Sequence, residues 1–166
     1  MINYNDKIFS QIKDFIKGAT KTELEIYNKA YMVRPPKKVN RIEFCIDSVR
    51  SNGHNYKTND KSGNKYSLGA NSMYYAQLEI RVIDTPIEAQ KTITSLVAGL
   101  NHSDMRNSFM PFISVFPSRL RQSSVAVKED GVIYNMERIL VEISFMHDSE
   151  FNIDWFNKVE HTSNFK

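Results

Sequence analysis

The sequence predicts an α+β fold, with a single mixed or antiparallel sheet, helices packed mainly on one face, and a long hairpin arm. Two regions, 41–49 and 73–83, alternate apolar and polar residues with the period of a strand, and residues 5–17 repeat with the period of a helix. Further strand patterns follow one another with only one or two helical patterns between them. That order is typical of the α+β class.

The length and composition favour one folded domain. The chain has 166 residues, of which 41% are hydrophobic and 25% charged, which is ordinary globular composition. A chain of this size buries enough surface for one core without disulfides or a metal. We predict a single domain over residues 1–149, which includes an arm at 50–71, followed by a C-terminal tail at 150–166.

The first elements are a helix and two strands. Apolar side chains share one face of residues 5–17, and Gly18 predicts the end of this helix. A weaker strand pattern at 23–32 precedes Pro35 and Pro36, which have no N–H to donate to a sheet. In the next strand Ile42, Phe44 and Ile46 alternate with Glu43, Cys45 and Asp47.

A polar stretch separates the two clearest strands. Residues 50–71 are rich in Ser, Asn, Gly and Lys, and their large apolar groups are Tyr56, Tyr66 and Leu68. Ordering a backbone residue costs roughly 1–2 kcal/mol, which so few apolar side chains do not offset. The composition therefore predicts a mobile hairpin arm that becomes ordered only against something outside itself, a neighbouring subunit or an adjoining component of the assembly.

The second half begins with the strand at 73–83 and a helix at 88–100. Thr85 and Glu88 have the spacing of a capping box, with Pro86 at the first helical position. A short helical turn is predicted at 103–110 and a short strand at 112–116, which Pro117 should end. A hairpin with its turn at 129–131 and a last strand at 137–146 complete the prediction.

Recognisable catalytic motifs are missing from the sequence. It contains neither HExxH, nor a Walker loop, nor GxGxxG. Its histidines are far apart: His54, His102, His147 and His161. The single Cys45 lies in a strand pattern, so we expect a buried, inert thiol and not a nucleophile. The prediction is a protein that is not an enzyme and needs no metal or cofactor.

The carboxylates near the end of the chain allow two interpretations. They are Glu142, Asp148, Glu150 and Asp154. Such a cluster can support acid–base or magnesium chemistry, but three of the four flank a strand end, where solvation is the simpler explanation.

The basic and aromatic residues of the arm also leave alternatives open. Lys57, Lys61 and Lys65 recur beside Tyr56 and Tyr66, a mixture that can follow a nucleic-acid backbone. A lysine-rich solvated loop is the simpler alternative, since the net charge is only +3.

Two large rings, Trp155 and Phe156, lie in the polar tail. They should pack either on their own domain or against a neighbouring subunit. Subunit contacts are therefore predicted at Tyr56, Tyr66, Trp155 and Phe156, and DNA-facing side chains at Lys57, Lys61 and Lys65.

The compartment is predicted from the cysteine count and the apolar runs. One cysteine cannot form an intramolecular disulfide, and Met1 leads into a polar amphipathic stretch unlike a secretion signal. The apolar runs are short of the roughly 18 residues of a membrane span. A reducing cytoplasm and no membrane role are expected.

Taken in order, several stretches resemble the neck and tail-terminator proteins of tailed bacteriophages. These stretches are the first helix, the two prolines before strand 42–49, strand 78–83 running through Asp84 into helix 88–100, the late strand 137–145, and a tail with Asp154, Trp155, Phe156, Val159 and Glu160. The likeness covers about residues 7–160, and the long polar arm departs from it.

The resemblance implies a structural virion protein. The family forms homo-oligomeric rings, usually hexamers, that cap the tail tube and join it to the head-side connector or stopper, with viral DNA passing through the lumen. Tail tube and sheath subunits are the implied partners, and the virion tail, assembled in the host cytoplasm, is the implied location. The alternatives are another head-to-tail stopper or completion protein, and a cytoplasmic nucleic-acid-binding module.

Overall fold

The structure is a computed structural model that describes residues 6–29, 38–61, 65–129 and 131–153. Within these ranges only the backbone is described for residues 52–61, 65–72, 129 and 147–153. The described residues form three helices and one mixed five-stranded sheet, which confirms the α+β class. The elements are α1 (Asp6–Thr20), β1 (Glu25–Asn28), β2 (Arg41–Lys61), β3 (Lys65–Asp84), α2 (Pro86–Asn101), α3 (Ser103–Phe109), β4 (Ile113–Glu129) and β5 (Val132–Ile153).

The sheet has the strand order β1-β2-β3-β5-β4. Strand β1 pairs with β2 in parallel, with Ile26 opposite Ile42, whereas β4 and β5 form an antiparallel hairpin. Strands β1 and β4 are therefore the edges of the described sheet. A parallel and an antiparallel pair in one sheet give the mixed arrangement.

The core lies between the helices and the apolar face of the sheet. On α1, Phe15 and Ile16 are fully buried, and the Phe9 ring packs against Phe44 of β2 at a centroid distance of 6.2 Å. The sheet contributes the buried residues Ile42, Ala76, Leu78, Ile80, Val82, Ile139, Val141, Ile143 and Phe145, and α2 contributes Ala89, Ile93, Leu96 and Leu100. This alternation along each strand is what a half-buried sheet requires.

Two predicted features of the helix ends are wrong: where α1 ends and how α2 is capped. Helix α1 passes Gly18 and ends after Thr20, whose hydroxyl donates to the Ile16 carbonyl at 2.7 Å. Lys21, with φ of 50°, then turns the chain out of the helix. At α2, Pro86 is at the start as predicted, but the side chain of Thr85 makes no cap hydrogen bond and Glu88 instead pairs with Lys91 at 2.7 Å.

Pro117 does not end a strand, contrary to prediction. Strand β4 continues through it, because the pairing with β5 shifts register between Phe116 and Arg121. A proline lacks an N–H and is tolerated where a bulge leaves residues outside the ladder. The predicted short strand and the predicted hairpin are consequently one long hairpin.

The chain divides into two compact units. The first is Met1–Arg50 with Tyr75–Phe145, and it contains the core described above. The second is Ser51–Tyr74 with Met146–Lys166. In the second unit, backbone that was predicted to form an arm belongs to β2 and β3. Polar residues can form a sheet ladder because its hydrogen bonds are made by the backbone. The mobility of 50–71 stays a prediction.

Candidate functional site

The face of the sheet opposite the core carries charged side chains, and we call it the polar face. Contacts define it: Cys45 of β2 touches Glu79 of β3, and Arg138 of β5 touches Glu79 as well. Strand alternation then adds further members to the same face. The polar face contains Arg41, Glu43, Cys45, Tyr75, Gln77, Glu79, Arg81, Arg138, Leu140 and Glu142, with Phe116 and Arg121 from β4.

Glu79 is the centre of the polar face, and only 6% of it is exposed. Its Oε1 accepts a hydrogen bond from Arg81 Nε at 2.7 Å and lies 2.5 Å from Arg138 Nε as an ion pair. Burial raises the pKa of this carboxyl, but the hydrogen bond and charge of Arg81, with Cys45 and Arg138, outweigh it and hold the pKa below its usual range. Glu79 is thus an ionised carboxylate shared by two guanidiniums.

Cys45 is half-buried beside Glu79. Its Sγ donates to a Glu79 carboxylate oxygen at 3.4 Å. Burial raises the pKa of the thiol to about 11, and the hydrogen bond and negative charge of Glu79 act in the same direction. Since the thiolate is the reactive form, this environment suppresses nucleophilic chemistry at neutral pH.

A shallow polar pocket lies beside the register shift of β4. It has a volume of about 320 Å³, and its lining includes Gln77, Ser118, Arg119, Arg121 and Glu142. Arg119 Nη1 and Glu142 Oε2 are 2.5 Å apart, with 66% of the arginine side chain exposed. Nearby, the rings of Tyr75 and Phe116 stack with centroids 6.3 Å apart. Both contacts involve residues at the register shift between Phe116 and Arg121.

The end of the β4–β5 hairpin, which we call the hairpin tip (residues 125–133), combines exposed apolar side chains with a sequence that is charged at residues 128–130. Glu129 pairs with Val132 at the end of the hairpin, and Gly131 has φ of +80°. Large apolar side chains are exposed here: Val125 is 50%, Val132 51% and Ile133 68% exposed. A Cβ at Gly131 would meet no atom within 4 Å, so nothing in the described chain crowds the turn.

An apolar hollow lies where the three helices meet, and we call it the helix-end cavity. Its volume is about 550 Å³, and its walls include Ala19, Ala98, Gly99, Met105 and Phe109, with His102 and Asp104 at its polar side. The imidazole of His102 is already used, since its Nδ1 accepts from Met105 N at 3.4 Å as the cap of α3.

The predicted site residues lie largely outside what is described. The side chains of Tyr56, Lys57, Lys61, Lys65 and Tyr66 fall in ranges where only the backbone of β2 and β3 is described. Trp155 and Phe156, like Asp154 and His161, lie outside the described residues, as do the side chains of His54, His147, Asp148 and Glu150. The subunit and DNA contacts assigned to these residues therefore stay predictions.

Two described candidates have definite surroundings. Glu142 is paired with Arg119, so the predicted carboxylate cluster does not include a free carboxylate at this position. Cys45 lies on a strand as predicted, but it is half-buried and lies on the polar face beside Glu79, not among the core residues.

Sequence reasoning missed the network around Glu79. The signal was present in the alternation of Glu79 and Arg81 on the polar side of the strand, but their link to Arg138 needs the neighbouring position of β3 and β5. Within the described parts of the chain, no group of three or more His, Cys, Asp or Glu side chains is arranged to hold a metal ion.

Comparison with known proteins identifies no relative. No protein-family model matches the chain, and a search of curated proteins finds no match. Among the described residues, no helix has the length and apolar character needed to cross a membrane.

Proposed function

We propose that this chain is a structural subunit of a tailed-bacteriophage virion. Copies of it form a closed ring, a homohexamer, that caps the tail tube and joins it to the head-side connector. Viral DNA passes through the lumen without sequence-specific contacts. The order of sequence features that resembles the neck and tail-terminator proteins supports the phage context, and the surface of the fold supports assembly.

The hairpin tip is the observation that carries the proposal. Its turn has open space around it, and three large apolar side chains, Val125, Val132 and Ile133, are at least half exposed there. Exposed large apolar side chains on both faces of one hairpin end support a surface that a partner covers. Such a surface suits a contact between two different surfaces of identical subunits, and repetition of that contact gives a ring when the rotation between neighbours closes.

The chemistry of the polar face is consistent with a scaffold. The Glu79 carboxylate pairs with both Arg81 and Arg138, and the raised pKa of Cys45 leaves almost no thiolate at neutral pH. Networks of this kind hold neighbouring strands in one arrangement. A subunit that must keep its shape while DNA and tail components contact it benefits from such rigidity.

Binding to tail tubes tests the function directly. Purified chain is mixed with tail tubes of the same phage that lack it, and negative-stain electron microscopy locates the added density. The proposal requires a ring at one end of the tube. Density only at the head-side connector would instead favour a stopper or completion protein, and a lack of binding to either would contradict the virion role.

The alternative function, a nucleic-acid-binding module, is distinguished from a ring-forming subunit by how its binding depends on salt concentration. A monomer that binds DNA through lysines loses affinity steeply as salt rises, because each neutralised phosphate releases counterions. We expect ring formation to persist at salt concentrations that abolish any binding of the isolated chain to duplex DNA. Tight monomeric DNA binding without rings would support the module and contradict the structural role.

A further inference from the structure

We infer that the polar pocket beside the register shift of β4 binds a phosphate group. We call this site the bulge pocket; its polar lining residues are Gln77, Ser118, Arg119, Arg121 and Glu142. All of them belong to the first compact unit. Binding there needs one folded copy of the chain and no ring, so the site goes beyond the proposed function.

The register shift brings the donor side chains of the pocket together. Phe116 pairs with Glu142 and Arg121 pairs with Leu140, so residues 117–120 of β4 lie opposite the single residue Val141 of β5. Extra residues of this kind leave the ladder and re-aim their side chains. The pocket forms at this interruption, where a segment of β4 with two arginines meets an amide side chain of β3.

Most donor groups of the bulge pocket have no partner in the described part of the chain. The side chains of Gln77 and Ser118 make no hydrogen bond there, and Arg121 forms neither a side-chain hydrogen bond nor an ion pair. Arg119 pairs with Glu142 through Nη1. A guanidinium has five N–H donors, so most of those of Arg119 stay available. The pocket thus offers a hydroxyl, an amide and two guanidiniums to a ligand with several acceptor oxygens.

The charge of the lining favours an anion. Arg119 and Arg121 supply two positive charges and Glu142 supplies one negative charge, so the lining has a net charge of +1. The Glu79 carboxylate of the same face is already held by two other guanidiniums. One excess positive charge matches the single negative charge of a phosphodiester.

The arrangement of donors suits a phosphate better than a carboxylate. Guanidiniums form paired hydrogen bonds with either group. The donors here come from two different strands, β3 and β4, and the tetrahedral oxygens of a phosphate can meet donors from several directions. With about 320 Å³, the pocket is at the lower end of the roughly 300–1,000 Å³ of ligand sites. The inferred ligand is therefore a phosphate group, either free or part of a nucleic-acid backbone.

An NMR titration of the full chain with inorganic phosphate tests the site. Backbone and arginine side-chain resonances are followed while sodium phosphate replaces sodium chloride at constant ionic strength. We expect saturable shifts centred on Gln77 and residues 118–121. Arg121→Gln should weaken phosphate binding about tenfold, because it removes charge-assisted hydrogen bonds.

Two further variants separate the loss of a ligand contact from damage to the fold. Arg50→Gln is the matched control, because Arg50 is an exposed arginine of β2 that does not line the pocket, and it should leave the affinity unchanged. Glu142→Gln removes the negative charge from the lining and should strengthen phosphate binding about threefold. Damage to the fold would not produce such a gain. Thermal melts check that every variant is folded.

A short DNA duplex identifies the source of the phosphate. A duplex that shifts the same resonances and competes with inorganic phosphate makes the ligand a nucleic-acid backbone. Phosphate binding without duplex binding makes it free phosphate or a small phosphate ester.

Four results would overturn the inference. They are shifts that do not saturate, acetate binding as tight as phosphate binding, equal weakening by Arg50→Gln and Arg121→Gln, and weaker phosphate binding by Glu142→Gln. Since none of these measurements needs an oligomer, such a failure is distinct from a failure of the proposed ring.

Discussion

The Cys45 thiol donates a hydrogen bond to the Glu79 carboxylate at 3.4 Å, which joins β2 to the charged network of the polar face. Burial, followed by this hydrogen bond and the charge of Glu79, raises the pKa of the thiol from 9.0 to about 11. At pH 8 the thiolate fraction should be about a hundredfold lower than for an ordinary thiol. We expect correspondingly slow labelling of the native chain by a maleimide.

The matching control is the unfolded chain in denaturant, in which Cys45 should react at the ordinary rate. Cys45→Ala should leave assembly unchanged, because the thiol has no chemical role in the account. Because folding raises the pKa of the thiol, the protonated thiol makes its full contribution to the free energy of unfolding below pH 9.0. This contribution is lost as the pH rises toward about 11. Rapid labelling of the native chain at pH 8 with loss of assembly would refute the inert role.

Glu79 is expected to be the most sensitive position of the polar face. Glu79→Gln removes the carboxylate that Arg81 and Arg138 share and leaves two partly buried guanidiniums without their counter-charge. We expect a loss of about 2–3 kcal/mol in the free energy of unfolding, below the figure for a completely buried pair because both arginines retain some exposure. Urea denaturation of the variant and of the original chain measures this loss.

The control for Glu79 is Glu142→Gln. Its partner Arg119 is 66% exposed, so this ion pair should contribute far less to stability than the Glu79 network does. The pKa of Glu79 is lowered from 4.5, so the carboxylate stabilises the fold above that pH, and the contribution is lost as the pH falls below it. Equal stability losses in the two variants would show that the network around Glu79 stabilises the fold no more than an exposed ion pair does.

Gly131 should be replaceable at the cost of backbone strain alone. Its φ of +80° is unfavourable for a side chain, whereas a Cβ there would meet no atom within 4 Å. Gly131→Ala should lower the free energy of unfolding by about 1 kcal/mol, and Gly131→Asn by less, since asparagine adopts this conformation more readily. Thermal denaturation of the two variants compares them. A larger loss for asparagine than for alanine would mean that the turn is sterically crowded.

The sequence predicted the regular elements well and their ends less well. Alternation at Ile42, Phe44, Leu78 and Ile80 directly reports burial on one side of a strand, so these positions were identified correctly. The ends depend on contacts that the pattern does not contain. Pro117 remains inside β4 because the opposite strand allows a register shift there.

The hairpin tip and the helix-end cavity were harder to predict for a physical reason. The exposed tip residues Val132 and Ile133 have the same sequence pattern as core residues, and only the fold shows that they project beyond the sheet core. The helix-end cavity joins Ala19, Gly99 and Phe109, which are distant in sequence and meet only when α1, α2 and α3 pack. A local sequence pattern carries no information on contacts between residues so far apart in the chain.

Native mass spectrometry of the purified chain, alone and after release from tail tubes, tests the central claim most directly. One chain has a mass of 19.3 kDa, so a hexameric ring has six times this value, about 116 kDa. We predict that this species is present on tubes and grows with concentration in solution, and that Ile133→Asp shifts it toward the monomer. A chain that stays at 19.3 kDa under both conditions would contradict the ring-forming structural role.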